Sequence, residues 1–166
     1  MKRTIACERC DNTITVYKNP VPTVDILITD PREGVVLIKR RFEPLGWALP
    51  GGFVDYGEKV EAAAIREAFE ETNLRVRLRG LLGVYSDPSR DKRLHTISTV
   101  FVATADDLSA LRGGDDAAEA RFFSFDALPE PIAFDHGLML RDFLQRFGRE
   151  FDADGSRKNP SILDGL

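Results

Sequence analysis

The sequence predicts one α/β or α+β domain, built on a mixed sheet with helices on both faces. Three observations lead there. Short runs of β-branched and apolar residues recur between Thr23 and Phe125, one helical stretch interrupts them and another follows, and 166 residues suffice for a single sizeable core. Hydrophobic residues at 43% and charged residues at 30% describe an ordinary folded chain rather than a disordered or fibrous one.

The elements follow in order. Residues 1–20 read as a hairpin-like extension ending at Asn19-Pro20. Thr23 to Thr29 is rich in β-branched residues and predicts a strand; Asp30-Pro31-Arg32-Glu33-Gly34 supplies turn chemistry, and Val35 to Arg40 returns. A loop with a Gly-rich turn leads to Gly52. From Glu58 to Thr72 neither Pro nor Gly appears, and Glu, Lys, Arg and Ala predict a helix whose Ala64, Ile65, Ala68 and Phe69 side should pack on the sheet. Leu74 to Tyr85 and Thr96 to Ala103 are strand candidates around a charged loop, Ser86 to His95, and Ala120 to Phe125 is a third. A last helix spans about Asp135 to Phe147, with Leu140, Phe143, Leu144 and Phe147 spaced as a core-facing stripe. The expected organisation is thus an extension at 1–20, a domain at 21–150 and a mobile tail at 151–166.

Composition narrows the partners. A net charge of -4 disfavours a nucleic-acid binder, which needs a basic surface, but suits a phosphorylated small molecule whose charge a metal neutralises. No apolar run reaches bilayer length and the first residues lack a signal-peptide core, so no membrane partner is expected and the cytoplasm is the expected compartment. Cys7 and Cys10 form a single Cys-x-x-Cys pair, whereas a structural zinc site takes four ligands and His95 and His136 lie in unrelated segments. Zinc is therefore not expected; a site shared across a homodimer, or the remnant of a lost zinc ribbon, stays open.

The chemistry concentrates in Gly52 to Leu74. Glu67, Glu70 and Glu71 stand at i, i+3 and i+4, close enough on a helix to repel one another when ionised. A hard divalent cation such as magnesium resolves that conflict and bridges carboxylates to phosphate oxygens. A solvated acidic helix face is the plain alternative. Arg66, four residues before Glu70 and eight after Glu58, is placed to orient one of these acids through a bidentate contact. Upstream, Leu49-Pro50-Gly51-Gly52 lets backbone approach a ligand closely.

Gly52, Glu58, Arg66, Glu67, Ala68, Glu70, Glu71 and Leu74 fall without a gap on the 23-residue box of the Nudix family, which this sequence resembles over roughly residues 21 to 148. Asn73 stands where the family usually has Gly, a position that caps the helix in left-handed conformation, which Asn tolerates next best. The resemblance implies an α/β/α sandwich with a mixed sheet, the box helix lying over the active site. It implies that Glu67, Glu70 and Glu71, with the Gly51 carbonyl, bind magnesium (or manganese in its stead), and that Glu58 and Arg66 hold this cluster. The general base differs across the family; the candidates are Glu70, Asp115, Asp116 and Glu119, the last three also readable as an acidic surface loop.

Pro88, fifteen residues beyond Asn73, resembles a marker of the ADP-ribose pyrophosphatase branch, and the loop after it could offer Arg90, Arg93 and His95 to phosphate or ribose, alongside Arg40 and Arg41. The expected reaction is ADP-ribose to AMP and ribose 5-phosphate. Three alternatives remain: a housecleaning nucleoside triphosphatase, an NADH-cleaving enzyme, whose Ser-Gln-Pro-Trp-Pro-Phe-Pro run is absent, and a sensor domain without catalysis.

Overall fold

A computed structural model describes residues 2–10, 12–114 and 117–147. The expected tail from residue 151 lies outside them. The chain forms β1 (Lys2–Ala6), β2 (Thr13–Tyr17), β3 (Val21–Asp30), β4 (Gly34–Arg40), β5 (Trp47–Ala48), β6 (Gly51–Phe53), α1 (Val60–Thr72), β7 (Val76–Tyr85), β8 (Thr96–Ala105), β9 (Ala117–Phe123) and α2 (His136–Phe147). β1 and β2 pair antiparallel as a separate exposed hairpin, with Cys7 and Cys10 as free thiols at its turn.

The other seven strands make one mixed sheet in the order β5-β4-β3-β8-β7, with β6 also on β3 and β9 also on β4. β3 organises it. From Val21 to Ile28 it runs parallel to β8, while its other edge is shared: Thr29 and Asp30 pair with β4, and Thr23 to Asp25 pair with β6. Two strands therefore diverge from β3 where the Leu49 to Gly52 segment enters, and a cleft opens between them.

The alternation of strand side chains sorts the residues into two cores. Val24, Ile26 and Ile28 of β3, with Val36, Phe101 and Ala103, face α1 and meet Ala63, Ala64 and Ala68. Leu27, Val35, Leu37, Val100 and Val102 face the other way and meet Met139, Leu140, Phe143 and Phe147 of α2. The sheet is thus covered on both faces, as an α/β/α sandwich. The same parity puts Asp25 on the α2 side, among residues where an acid has no apolar excuse.

One expectation about α1 needs correction. Ala64 and Ala68 are buried, but Ile65 and Phe69 are 45% and 42% exposed, and Ala63, Glu71 and Thr72 take the inward places. The helix lies close to the sheet, so its contact face accepts only small residues, and the larger apolar side chains are turned out; Phe69 lies against the Arg75 guanidinium. Asn73 caps the helix in left-handed conformation at φ 59°, its amide donating to the Phe69 carbonyl. No helix among the described residues is long and apolar enough to cross a membrane.

This packing makes a contrast that denaturant unfolding can read. Phe143→Ala empties a fully enclosed site and should cost about 3–5 kcal/mol, whereas Ile65→Ala should stay within roughly 1 kcal/mol of the parent. Comparable losses for the two would contradict the assignment of the α1 faces.

Candidate active site

Arg66 is the hub of the acidic helix. Its Nε and Nη2 grip Glu58 in a two-pronged contact at 3.0 and 2.9 Å, Nη1 reaches Glu67 at 2.8 Å and Glu70 at 3.1 Å, and Nη2 also donates to the Phe53 carbonyl at 3.0 Å. One cation thus joins the loop before α1 to its second and third turns, which the spacing of 58, 66 and 70 foretold only for a single acid. The Arg66 contact holds the Glu58 carboxyl below its ordinary range, and Glu58 in turn stabilises the charged guanidinium.

Glu67 and Glu71 are held differently. They lie one turn apart and face the Gly51-Gly52 backbone of β6. The Gly51 amide donates to Glu71 Oε2 at 2.9 Å. A Cβ on Gly51 would overlap the Val24 carbonyl, and one on Gly52 would crowd the Glu67 carboxylate, so glycine at these places lets helix and strands approach this closely. Burial pushes the Glu71 carboxyl up to about 8, with the Gly51 hydrogen bond opposing and the Glu67 charge adding; burial likewise raises Glu67, against the pull of Arg66. Two desolvated carboxylates side by side are a donor set that fits a hard divalent cation. Among the described residues no three acidic, imidazole or thiol groups converge on one point, because Glu70 is turned to Arg66 and is the more exposed of the three acids.

A second cluster is one that sequence reasoning missed. Asp25 is buried in mid-strand and accepts from Ser98 Oγ at 2.5 Å, while His136 Nε2 lies 3.3 Å and Arg90 Nη2 3.4 Å away. Burial alone would raise the Asp25 carboxyl, but the His136, Ser98 and Arg90 contacts outweigh it and hold the group below its usual range. His136, the first residue of α2, accepts the Leu49 amide on Nδ1 at 2.9 Å. The only signal in the sequence was an Asp set among Val24, Ile26, Leu27 and Ile28.

Glu67, Glu71, Asp25 and His136 line one pocket of about 430 Å³, with Gly51, Gly52, Arg40, Arg41, Arg93 and Phe134 among its other walls. Arg40 and Arg93 both lie over the Phe134 ring, at 4.8 and 5.4 Å from its centroid. Phe134 has φ 55°, a backbone region that bulky residues rarely adopt. Arg93 is also tied to Asp91 at 2.8 Å.

Arg90 lines the pocket too, but not as an exposed loop cation. Its side chain is 4% exposed and binds Asp135 through two contacts, at 3.0 and 2.9 Å, and Thr96 at 2.7 Å. Pro88 sits in the tight turn that aims it, closed by the Arg90 amide on the Asp87 carbonyl at 3.0 Å. His95 lies outside the pocket lining, with Nε2 3.2 Å from the Ser86 carbonyl. Glu119 is on β9 beside Arg121, likewise outside the lining. Asp115 and Asp116 fall outside the described residues; the loop before them reaches the box helix, where Gly114 abuts the Glu70 carbonyl and its amide donates to the Glu71 carbonyl. Asn73 fastens the same loop, donating to the Ala110 carbonyl at 3.0 Å and accepting from Arg112 at 2.9 Å. Its departure from Gly thus gains a contact that Gly has no side chain to make.

The acidic helix, its glycine strand and the sheet agree with a known family. The sequence matches the NUDIX domain over residues 19–143. The chain belongs to the Nudix hydrolase family. It is 45% identical over 132 residues to an ADP-ribose pyrophosphatase of Methanocaldococcus jannaschii, covering 78% of this chain and 76% of that one. The Nudix domain of Shewanella oneidensis NrtR, solved with ADP ribose, superposes with a TM-score of 0.68 at 26% identity, covering 79% of this chain and 90% of that one. A bifunctional NMN adenylyltransferase/ADP ribose pyrophosphatase from Francisella tularensis, solved with AMP and manganese, gives 0.67 at 28% identity; the match covers 78% of this chain and 42% of that longer one. Nudix hydrolases work with a divalent metal, and in this Nudix hydrolase Glu67 and Glu71 fit one, with Glu70 next to them.

The raised Glu71 carboxyl ties metal uptake to pH. Because the shifted group is an acid, its protonated form is favoured below about pH 8, and a cation must displace that proton. Calorimetric titration of the metal-free protein in buffers of different ionisation heat should therefore show about one proton released per metal near neutral pH, with affinity rising with pH and levelling above about 8. Glu71→Gln should abolish the release. Tight uptake with no proton released near neutrality would contradict this charge arrangement.

Proposed function

We propose that the protein hydrolyses the pyrophosphate bond of a nucleoside diphosphate derivative, converting ADP-ribose to AMP and ribose 5-phosphate with magnesium as its metal. The observation that carries the reading is the meeting, in one pocket, of two desolvated carboxylates at the floor and Arg40, Arg41 and Arg93 around them. A pyrophosphate needs both: cations along its oxygens and, at the scissile bond, a site that binds a metal. The archaeal relative named as an ADP-ribose pyrophosphatase supports the choice of substrate.

Each residue then has a task. Glu67 and Glu71, with Glu70 and the Gly51 carbonyl, would hold the magnesium, which when bound neutralises phosphate charge and lowers the pKa of water. Arg66 and Glu58 keep the acids from rotating away. Arg40, Arg41 and Arg93 contact the diphosphate and the terminal ribose, and Phe134 gives an apolar surface for a sugar or base. His95 is the weakest of the proposed contacts because it stands outside the pocket lining. The attacking water gives its proton to a carboxylate, with Glu70, Asp115, Asp116 and Glu119 as the candidates; Gly114 itself lies against the box helix. Arg90 orders the pocket floor through Asp135 and Asp25 rather than meeting the substrate first.

A product-resolved panel with magnesium tests the reading. ADP-ribose should show a higher kcat/KM than NADH, dinucleoside polyphosphates or any nucleoside triphosphate, and Glu70→Gln or Glu71→Gln should lower turnover by roughly a hundredfold or more with the fold retained. Arg93→Ala should reduce ADP-ribose cleavage roughly tenfold more than triphosphate cleavage, as expected for loss of one charge-assisted contact. A wild-type preference for a triphosphate would replace the ADP-ribose reading with the housecleaning one.

A further inference from the structure

The buried imidazole of His136 joins elements that the box does not. Leu49 lies immediately before the Pro50-Gly51-Gly52 segment, and its amide donates to His136 Nδ1 at 2.9 Å. A ring nitrogen that accepts an N–H bond carries no proton, so the imidazole proton is on Nε2, which faces Asp25 Oδ1 at 3.3 Å. Asp25 is itself the β3 residue that pairs with Gly51. The next carbonyl, that of Pro50, accepts the Ile26 amide at 2.8 Å, and the Gly51 amide donates to Glu71 at 2.9 Å. The Leu49 amide, the Pro50 carbonyl and the Gly51 amide are thus fixed in turn, and the last of them holds the acid at the pocket floor.

We infer that His136 is a positioning residue for the hydrolysis, its unprotonated Nδ1 fixing the Leu49 amide and so setting the Gly51 backbone against Glu71. The residue sits 87 positions from Leu49 in sequence and is 3% exposed, outside the box and outside its helix. Its surroundings allow little other motion. The ring lies 5.2 Å from the Phe134 ring, and Asp135, its chain neighbour, is clamped by Arg90. A shift of α2 at its first turn would therefore reach Glu71 through two hydrogen bonds and the two peptide links from Leu49 to Gly51. The pairing also explains why an ionisable residue opens α2 at a buried place: the segment it holds presents an amide whose partner is His136, and a buried amide left without an acceptor is destabilising.

The inference rests on the hydrolase reading for its kinetic arm but not for its spectroscopic one. In the wild-type protein labelled with 15N, long-range proton–nitrogen correlation should show the His136 proton on Nε2; the chain has only two histidines, and His95→Gln assigns them. Among variants, Asn reproduces the Nδ1 acceptor and Gln reproduces the Nε2 donor. His136→Asn should keep kcat within about threefold of wild type, while His136→Gln and His136→Ala should lose roughly 10- to 100-fold with KM within about threefold. If the alanine variant fails to fold, the Asn and Gln pair and the spectrum still decide. A proton found on Nδ1, or full activity in the Gln variant, would overturn the inference. A wild type inert toward ADP-ribose would instead overturn the substrate reading, and the kinetic arm would then run on whichever substrate the panel identifies.

Discussion

Glu71 lies buried beside a second acid with its carboxylate on a backbone amide, and the pocket is arranged around the cost of keeping it there. A carboxylate out of water without a cation prefers to hold a proton, and burial pushes this one up to about 8. The surrounding features follow from that constraint. A side chain on Gly52 would crowd the Glu67 carboxylate, and Arg66 is drawn to Glu58, Glu67 and Glu70 together. The small residues of α1, Ala63, Ala64 and Ala68, let the helix lie near enough to the sheet to bring its acids over β6.

The second constraint is the direction of Asp25. Strand alternation turns it away from α1 and toward α2, so the acids over β6 and the polar groups of Asp25, His136 and Arg90 meet in one pocket from opposite faces of the sheet. The Arg90–Asp135 pair is nearly dry on its arginine side, which makes its geometry matter more than its number of contacts. Removing one partner of such a pair strands the other charge, so substitution of Arg90 speaks about the pocket floor before it speaks about substrate.

The shared face of the acids was legible because its geometry is local: carboxylates three and four residues apart on a helix must share a face. Their role, and the left-handed cap at Asn73, came from the resemblance to the Nudix box, and the hold of Asn73 on Ala110 and Arg112 was not legible, since that depends on where a distant loop lands. The orientation of α1 was misread at Ile65 and Phe69 because apolar character was taken as burial, whereas the close helix–sheet distance admits alanine and excludes them. Asp25 and His136 were invisible for a plainer reason. They come from β3 and α2, near opposite ends of the domain, and only the fold brings them together. The charged loop at 86–95 reads as offering Arg90 to substrate, yet Arg90 turns inward onto Asp135, Asp25 and Thr96, and the buried Asp91 is held by Arg93.

The central claim is that the two buried acids at the pocket floor form the seat of the divalent cation. Crystals soaked in manganese and measured at its absorption edge test it directly, since anomalous density locates the ion without reference to activity. The account predicts a peak within ligand distance of the Glu67 and Glu71 carboxylates, with Glu70 drawn from Arg66 toward it. Manganese bound elsewhere on the chain, with Glu71 left on the Gly51 amide and no ion beside Glu67, would contradict it.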